Sequence, residues 1–292
     1  MELQLKNIGM IKEANVKIDG LTVIAGENDT GKSTVAKELY SEITPLKGLG
    51  SLNRYLNFRE DEIIPNKVIF IDTPNSLDTF SFIKNATLLI HQERLNIHLA
   101  KYRVDLILKL SQDIFEESTK SALYQKIEEL IGGRVFYDKS RDDIYYEKYS
   151  LENRQFKMEK TSNGIKMFGF LQILLLNQTI EENTLLILDE PEVHLHPKWQ
   201  LKYAELIGQL VQNGVKILVN SHSPYMIEAL KRYSELFNVD NKTNFYLAED
   251  GYIKQENDSN SETLVNIYEK LSEPYDIFEE MDAKRMENLF NG

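Results

Sequence analysis

Cysteine is absent from the chain, which excludes a disulfide scaffold, a thiolate zinc site, an iron–sulfur cluster and a cysteine nucleophile. No run approaches the ~20 consecutive apolar residues that span a bilayer, so no membrane partner is expected. Basic charge is also short: 34 Lys and Arg face 46 Asp and Glu, for a net charge of −12. A field of that sign repels phosphates and argues against a protein that coats nucleic acid nonspecifically, although a local basic patch can override it. Met1–Lys6 alternates apolar with polar residues, the pattern of a strand rather than a signal peptide, and points to a cytoplasmic protein. What is present is ordinary for a globular chain of 292 residues. Hydrophobic residues make up 42% and charged residues 27%, enough for a sizeable core in one or two domains.

Strand patterning is expected over Leu3–Ile8 and Ala14–Ile18, with a turn at Asp19-Gly20. Leu21–Ala25 is a short apolar run of the kind buried on both faces of a sheet. From Lys32 the spacing becomes helical, with Val35, Leu39 and Ile43 on one face. Residues 46–131 are less regular: a strand at Val68–Ile71, then helical stretches around Val104–Phe115 and Ser121–Leu130. Strands rich in Tyr and Phe follow in Arg134–Met158, then a helix over Ile165–Leu176. A buried strand at Leu185–Leu188, a helix from Pro197 through Val211 and a strand at Val215–Val219 complete an alternation that predicts a parallel or mixed α/β sheet.

Gly26-Glu27-Asn28-Asp29-Thr30-Gly31-Lys32-Ser33 matches G-x-x-x-x-G-K-[ST] without a mismatch, between a buried strand and an amphipathic helix. The glycines let successive N–H groups turn inward around phosphate oxygens, and the helix start adds its positive dipole end. Lys32 reaches β- and γ-phosphates in this geometry, and the Ser33 hydroxyl is placed to ligate Mg²⁺. An empty glycine turn is the plainer alternative, but the strand and helix on either side argue against it.

Leu185–Leu188 runs into Asp189-Glu190. Acids at the carboxyl end of such a strand sit beside the phosphate loop, so Asp189 can hold the metal shell. The chain turns at the strand end, which lets Glu190 face the γ-phosphate and orient the attacking water. A further apolar strand ends in Asn220-Ser221-His222-Ser223-Pro224, with a single helix between it and the acid strand. A lone His at a strand end is more often structural. Here the spacing puts His222 on the strand next to Asp189, at the same edge of the sheet.

With these residues in hand, the chain resembles an ABC-type ATPase of the RecF/SMC and OLD-like group, the AAA_15/AAA_21-type AAA-family ATPases. The likeness rests on Leu5–Ile11, Gly26–Thr34, Thr161–Gly164, the run Leu188–Pro197 and Ser221–Pro224. It implies an α/β P-loop NTPase fold: an ABC-type mixed or parallel sheet flanked by helices, with an inserted, mostly helical lobe. Residues 1–45 and 132–292 would form the ATPase core and residues 46–131 the lobe. The resemblance also makes Gly26, Asn28, Asp29, Thr30, Gly31, Lys32, Ser33 and Thr34 the ATP-binding Walker A loop. Asp189 becomes the Mg²⁺-shell acid, Glu190 the catalytic glutamate and His222 the switch histidine. Ser162 and Gly164 take the place of the ABC signature, although Asn163 and Ile165 depart from it. A homodimer or higher homo-oligomer sandwiching two ATP molecules follows, each site closed by the partner's signature loop. Gln92 and the Asp72-Thr73-Pro74 turn are candidates for the Q-loop.

The missing parts narrow this reading. Only 129 positions separate Ser33 from Ser162, too few for long coiled-coil arms, and the 70 residues after His222 are too few for a Toprim nuclease. The expected protein is therefore an ATP-hydrolysing switch that signals to DNA or to a partner effector. Relatives of this type often sit beside a nuclease or toxin in bacterial antiphage defence or DNA-maintenance modules. The alternative is a noncatalytic ATP-dependent clamp that assembles such a partner. Lys84, Arg94, Lys101, Arg103 and Lys109 are candidates for a DNA-facing basic patch, interrupted by Asp105 and Asp113. His194 and His196 lack a third ligand at suitable spacing and are expected to have a structural or dimer-contact role. The acids Asp276, Glu279, Glu280 and Asp282 are expected on a solvated helix face.

Overall fold

A computed structural model describes residues 1–44, 55–58, 63–93 and 99–290. The chain opens with strands β1 (Glu2–Ile8), β2 (Ile11–Lys17) and β3 (Leu21–Ala25), then helix α1 (Lys32–Ile43). After β4 (Leu56–Asn57) and β5 (Lys67–Ile71) come helices α2 (Phe80–Glu93), α3 (Lys101–Leu110) and α4 (Ala122–Ile131). Three strands follow, β6 (Gly133–Asp138), β7 (Asp143–Lys148) and β8 (Arg154–Lys157), and then α5 (Asn163–Leu176). Strand β9 (Thr184–Asp189), α6 (Pro197–Gln212), β10 (Lys216–Ser221) and α7 (Pro224–Leu236) form the alternating second half. The last elements are β11 (Thr243–Glu249), β12 (Tyr252–Lys254) and α8 (Asn260–Phe290).

Nine of these strands make one mixed sheet in the order β4-β1-β2-β12-β11-β3-β10-β9-β5. The five from β11 to β5 run parallel, while β1 pairs β2 and β11 pairs β12 antiparallel. The fold is α/β, a mixed sheet flanked by helices, as the sequence predicts. Alternation within its central strands divides two apolar layers. Leu21, Val23 and Ala25 of β3, Leu186 and Leu188 of β9, and Ile217 and Val219 of β10 face a large core shared with α5, α6 and α7. Ile24, Leu185, Ile187 and Leu218 face the other way, toward Val35, Ala36 and Leu39 of α1. The nearly continuous apolar runs of these strands are thus explained by burial on both sides.

The smaller antiparallel sheet, β6-β7-β8, packs on α5. Helix α5 is buried nearly all round, and the Gln172 side-chain oxygen accepts a hydrogen bond from the Val135 amide at 2.6 Å. Residues 46–131, expected as an inserted lobe, give β5 to the main sheet beside β9. Leu106, Ile107 and Leu110 of α3 and Ile127 and Ile131 of α4 join the same core as the main sheet. The helix expected to run to Phe115 ends at Leu110, capped at Ser111, whose hydroxyl turns back onto the Ile107 carbonyl at 2.8 Å. From 272 to 286, α8 is exposed along its whole length, as expected of the acidic stretch.

Candidate functional site

Register brings the carboxyl ends of three parallel strands together. Ser221 pairs with Ala25 and Asn220 pairs with Asp189. The ladder continues one residue past the strands, with the Gly26 amide donating to the Ser221 carbonyl at 3.3 Å and the Glu190 amide to the Asn220 carbonyl at 3.0 Å. The phosphate loop, the acid pair and His222 therefore lie side by side at one edge.

The loop between β3 and α1 has the backbone its sequence predicts. Gly26, Asp29 and Gly31 have φ of 156°, 67° and 96°. A Cβ at Gly26 would lie 2.3 Å from the Ala248 carbonyl oxygen, and one at Gly31 would lie 2.4 Å from Ile11 Cδ1. Backbone conformation favours glycine at both positions, and at Gly26 the Ala248 backbone leaves no room for a Cβ. Among the described residues, the amides of Asn28 through Ser33 find no carbonyl partner, which leaves a ring of donors at a helix start. The Thr30 hydroxyl donates to the Glu27 carbonyl at 2.9 Å and so shapes the turn. Glu27, Asn28 and Asp29 are exposed, while Ser33 and Thr34 are half-buried on the first turn of α1. These residues fit a polyphosphate.

Lys32 is 4% exposed, and its Nζ donates to the carbonyls of Gly26 at 2.9 Å and Glu27 at 2.6 Å. The same nitrogen is 3.8 Å from Glu190 Oε1. Burial lowers its pKa, opposed by the charges of Glu190, Asp189, Glu192 and Glu27. Asp189 accepts from Asn220 Nδ2 at 2.8 Å, and the Ser33 side chain beside it favours its charged form. Burial raises the Asp189 pKa, opposed by the Asn220 and Ser33 side chains and the charge of Lys37. Ser33 and Asp189 fit the two protein ligands that Mg²⁺ takes in such sites.

Glu190 has a left-handed backbone, φ 52°, so the chain reverses at the strand end and swings its carboxylate toward Lys32 and His222. His222 Nδ1 is 3.3 Å from Glu190 Oε1 and 3.6 Å from Glu192 Oε1. Each member of the His222–Glu190 pair is the largest cause that stabilises the other's charged form: Glu190 raises the His222 pKa and His222 lowers that of Glu190. Lys32, Ser33, Asp189, Glu190 and His222 are thus one connected cluster.

Ser162 and Gly164 lie elsewhere, at the start of α5. Ser162 is the helix cap, its hydroxyl accepting from the Ile165 amide at 3.4 Å. Gly164 lies under the Trp199 ring, where a Cβ would come within 2.9 Å. His196 caps α6, with Nδ1 accepting from the Lys198 amide at 3.3 Å, and Pro197 takes the first turn. Among the described residues no group of His, Asp or Glu is arranged to hold a metal ion by itself. The Gln92 side chain and Arg94 lie outside the described residues. Asp72, at the carboxyl end of β5, accepts from Ser76 and Tyr102, both at 3.1 Å, and from Arg103 at 2.6 Å. Arg103 and Lys84, which pairs with Asp142, are thus engaged within the molecule, as is Lys101 with the Thr44 carbonyl. Asn220 and Glu192 also touch this cluster; the sequence alone assigns them no role, and only strand register shows what they reach.

Residues 56–228 match the family model described as "AAA domain, putative AbiEii toxin, Type IV TA system". That span includes Asp189, Glu190 and His222 and begins after the phosphate loop. The Septu protein PtuA of Bacillus thuringiensis is 21% identical, over 78% of this chain and 72% of its own length. Protein ea59 of Escherichia phage lambda is 31% identical over 132 residues, 44% of this chain but 24% of that protein. Among solved structures, an Smc head bound to the C-terminal winged-helix domain of ScpA has a TM-score of 0.49 at 13% identity, covering 87% of this chain and 95% of that one. An ATP-binding cassette of an ABC transporter in its ADP conformation has a TM-score of 0.45 at 17% identity, covering 92% and 98%. The family match spans more than half of the chain and agrees with the phosphate-loop architecture. The chain belongs to the AAA_21 family of AAA/ABC-type ATPases.

Proposed function

We propose that this protein binds ATP with Mg²⁺, hydrolyses it, and closes into a dimer around two nucleotides, so that a partner reads the nucleotide state. The observation that carries this reading is the placement of Glu190 between Lys32, at 3.8 Å, and His222, at 3.3 Å. A nucleotide binder needs the donor ring and the lysine. It has no use for a carboxylate turned back over them by a left-handed residue and flanked by an imidazole.

In this reading the amides of Asn28–Ser33 hold phosphate oxygens, and Lys32 exchanges its carbonyl partners for the β- and γ-phosphates. Ser33 and Asp189 hold Mg²⁺, which supplies charge neutralisation at those oxygens. Glu190 orients the attacking water and accepts its proton, and His222 beside it favours its charged form. His222 holds the Glu190 carboxylate in place and donates toward the γ-phosphate. Ser162 and Gly164, at a helix start, offer amide donors to the nucleotide of a second copy.

The readout is proposed to be a partner nuclease or toxin in a bacterial defence module. The word toxin in the family description and the likeness to PtuA support that direction. DNA is a less supported target, because Lys84 and Arg103 already have acidic partners. Phosphate release by the purified chain in Mg·ATP tests the catalytic reading. Steady release that stops in Glu190→Gln supports it. Tight ATP binding with no release in the unaltered chain would instead leave the noncatalytic clamp.

A further inference from the structure

Glu192 lies two residues beyond Glu190 and is more deeply buried than any other carboxylate around the cluster. Its side chain is 3% exposed, whereas Glu190 is 30% exposed. Burying a carboxylate is costly unless it is paired, so a buried one needs a reason. One of its oxygens, Oε1, accepts from the Ser221 hydroxyl at 2.7 Å and from the His222 amide at 2.9 Å, and lies 3.6 Å from His222 Nδ1. The other, Oε2, has no partner among the described residues. Two hydrogen bonds hold a group that water would solvate better, and the imidazole facing it has an Nδ1 with no hydrogen bond of its own among the described residues.

Those contacts fix the start of the turn between β10 and α7. The Ser221 hydroxyl, itself a donor to Glu192, also accepts from the Ser223 amide at 3.1 Å. The Ser223 hydroxyl donates to the Gln200 side chain on α6 at 2.6 Å. The carboxylate thus ties the segment after β9 to the turn that carries His222. The charged groups facing the imidazole are Glu190 and Glu192 from the acid segment and Lys32 from the phosphate loop.

We propose that Glu192 is a positioning residue: it clamps the His222 backbone and imidazole so that His222 meets Glu190, and it does not itself touch nucleotide. This rests on the catalytic reading of Glu190 and His222 given above. Glutamine at position 192 keeps an oxygen for Ser221 and for the His222 amide but removes the charge, whereas alanine removes both. The two variants therefore separate the geometric part from the electrostatic part.

The test begins with the nucleotide-free protein. Imidazole proton NMR against pH follows His222, assigned by the loss of its signal in His222→Ala. In Glu192→Gln the His222 titration is expected to move to lower pH, because one of the two acids beside Nδ1 has become neutral. With Mg·ATP, Glu192→Gln is expected to lose about tenfold in kcat, and Glu192→Ala on the order of 100-fold, the effect of a small misplacement in a reacting site. KM for ATP is expected to stay within about twofold in both variants, since uniform binding is untouched. A fold-stabilising role alone would shift the melting temperature and leave the His222 titration and kcat where they were, and that result overturns the proposal. A wild-type protein that fails to release phosphate would sink the catalytic reading, while the His222 titration would still decide the role of Glu192.

Discussion

His222 Nδ1 stands 3.3 Å from Glu190 Oε1, with the whole of α6 between the two residues in the chain. Neighbouring parallel strands β9 and β10 make the meeting possible, and the left-handed backbone of Glu190 completes it. Each side chain stabilises the ionised form of the other.

Glu190→Gln should therefore reveal itself twice. Loss of its largest raising contribution lets the His222 pKa fall toward about 6.5, the value of an unperturbed imidazole. Loss of the general base lowers turnover by about 10²–10⁴-fold without weakening ATP binding. NMR titration reads the first effect and phosphate release the second. A His222 titration identical to that of the unaltered chain would contradict the pairing.

The pair also leaves a pH signature in stability. The folded-state pKa of Glu190 is lowered, so its contribution is present above the unfolded carboxylate value of about 4.3 and is lost as pH falls through the folded value. The folded-state pKa of His222 is raised, so its contribution is full below about 6.5 and is lost as pH rises through the folded value. Buried Asp189 and Glu192, whose pKa values are raised, act in the opposite sense to Glu190 on the acid side. Comparing denaturant unfolding of the unaltered chain with Glu190→Gln cancels their share. The difference should be largest between about pH 4.5 and 6.5 and shrink on both sides. A difference that does not vary with pH would count against the pair.

Gly31→Ala should damage the phosphate loop by two separable routes. The position has φ 96°, and a Cβ there would come within 2.4 Å of Ile11 Cδ1. Backbone strain of this kind costs about 1–3 kcal/mol. Trimming the neighbour in Ile11→Val/Gly31→Ala relieves the contact but not the strain. Thermal melts should therefore show partial recovery in the double variant, with nucleotide affinity still reduced. Full recovery of both would mean that the loop tolerates an ordinary backbone.

Trp199 is the single tryptophan and lies against Gly164 at the start of α5. If Ser162 and Gly164 close over the nucleotide of a second copy, Mg·ATP should change Trp199 emission in Glu190→Gln. The change should grow with protein concentration. A nucleotide-induced change with the same amplitude at every protein concentration would argue against closure by a second chain.

Much of this arrangement is legible from local pattern. Leu21–Ala25 reads as a doubly buried strand because four of its five positions are apolar, with only Thr22 polar, and Gly26–Ser33 reads as a phosphate loop from its glycines, lysine and serine at the expected spacing. Ser162 reads as a helix cap from its place before an apolar helix. Long-range pairing is not legible in the same way. Nothing local says that β5 lies beside β9, since strand order depends on contacts across more than a hundred residues. Helix α7 had a usable signal, Ser223-Pro224 followed by Met226, Ile227 and Leu230 at helical spacing, and those three residues are fully buried. Glu192 lies in a motif run, and nothing local marks it as buried. Its burial depends on Ser221 and His222, which reach it from the next strand.

In the proposed mechanism Lys32, Asp189, Glu190 and His222 surround one triphosphate. Calorimetric titration of Mg·ATP into Glu190→Gln and into Lys32→Ala tests that most directly, because one variant keeps the phosphate contacts and the other removes the buried cation. The expected result is saturable binding in Glu190→Gln and at least a tenfold weaker affinity in Lys32→Ala, about 1.4 kcal/mol or more. A flat trace in Glu190→Gln, or equal affinity in the two variants, would contradict it.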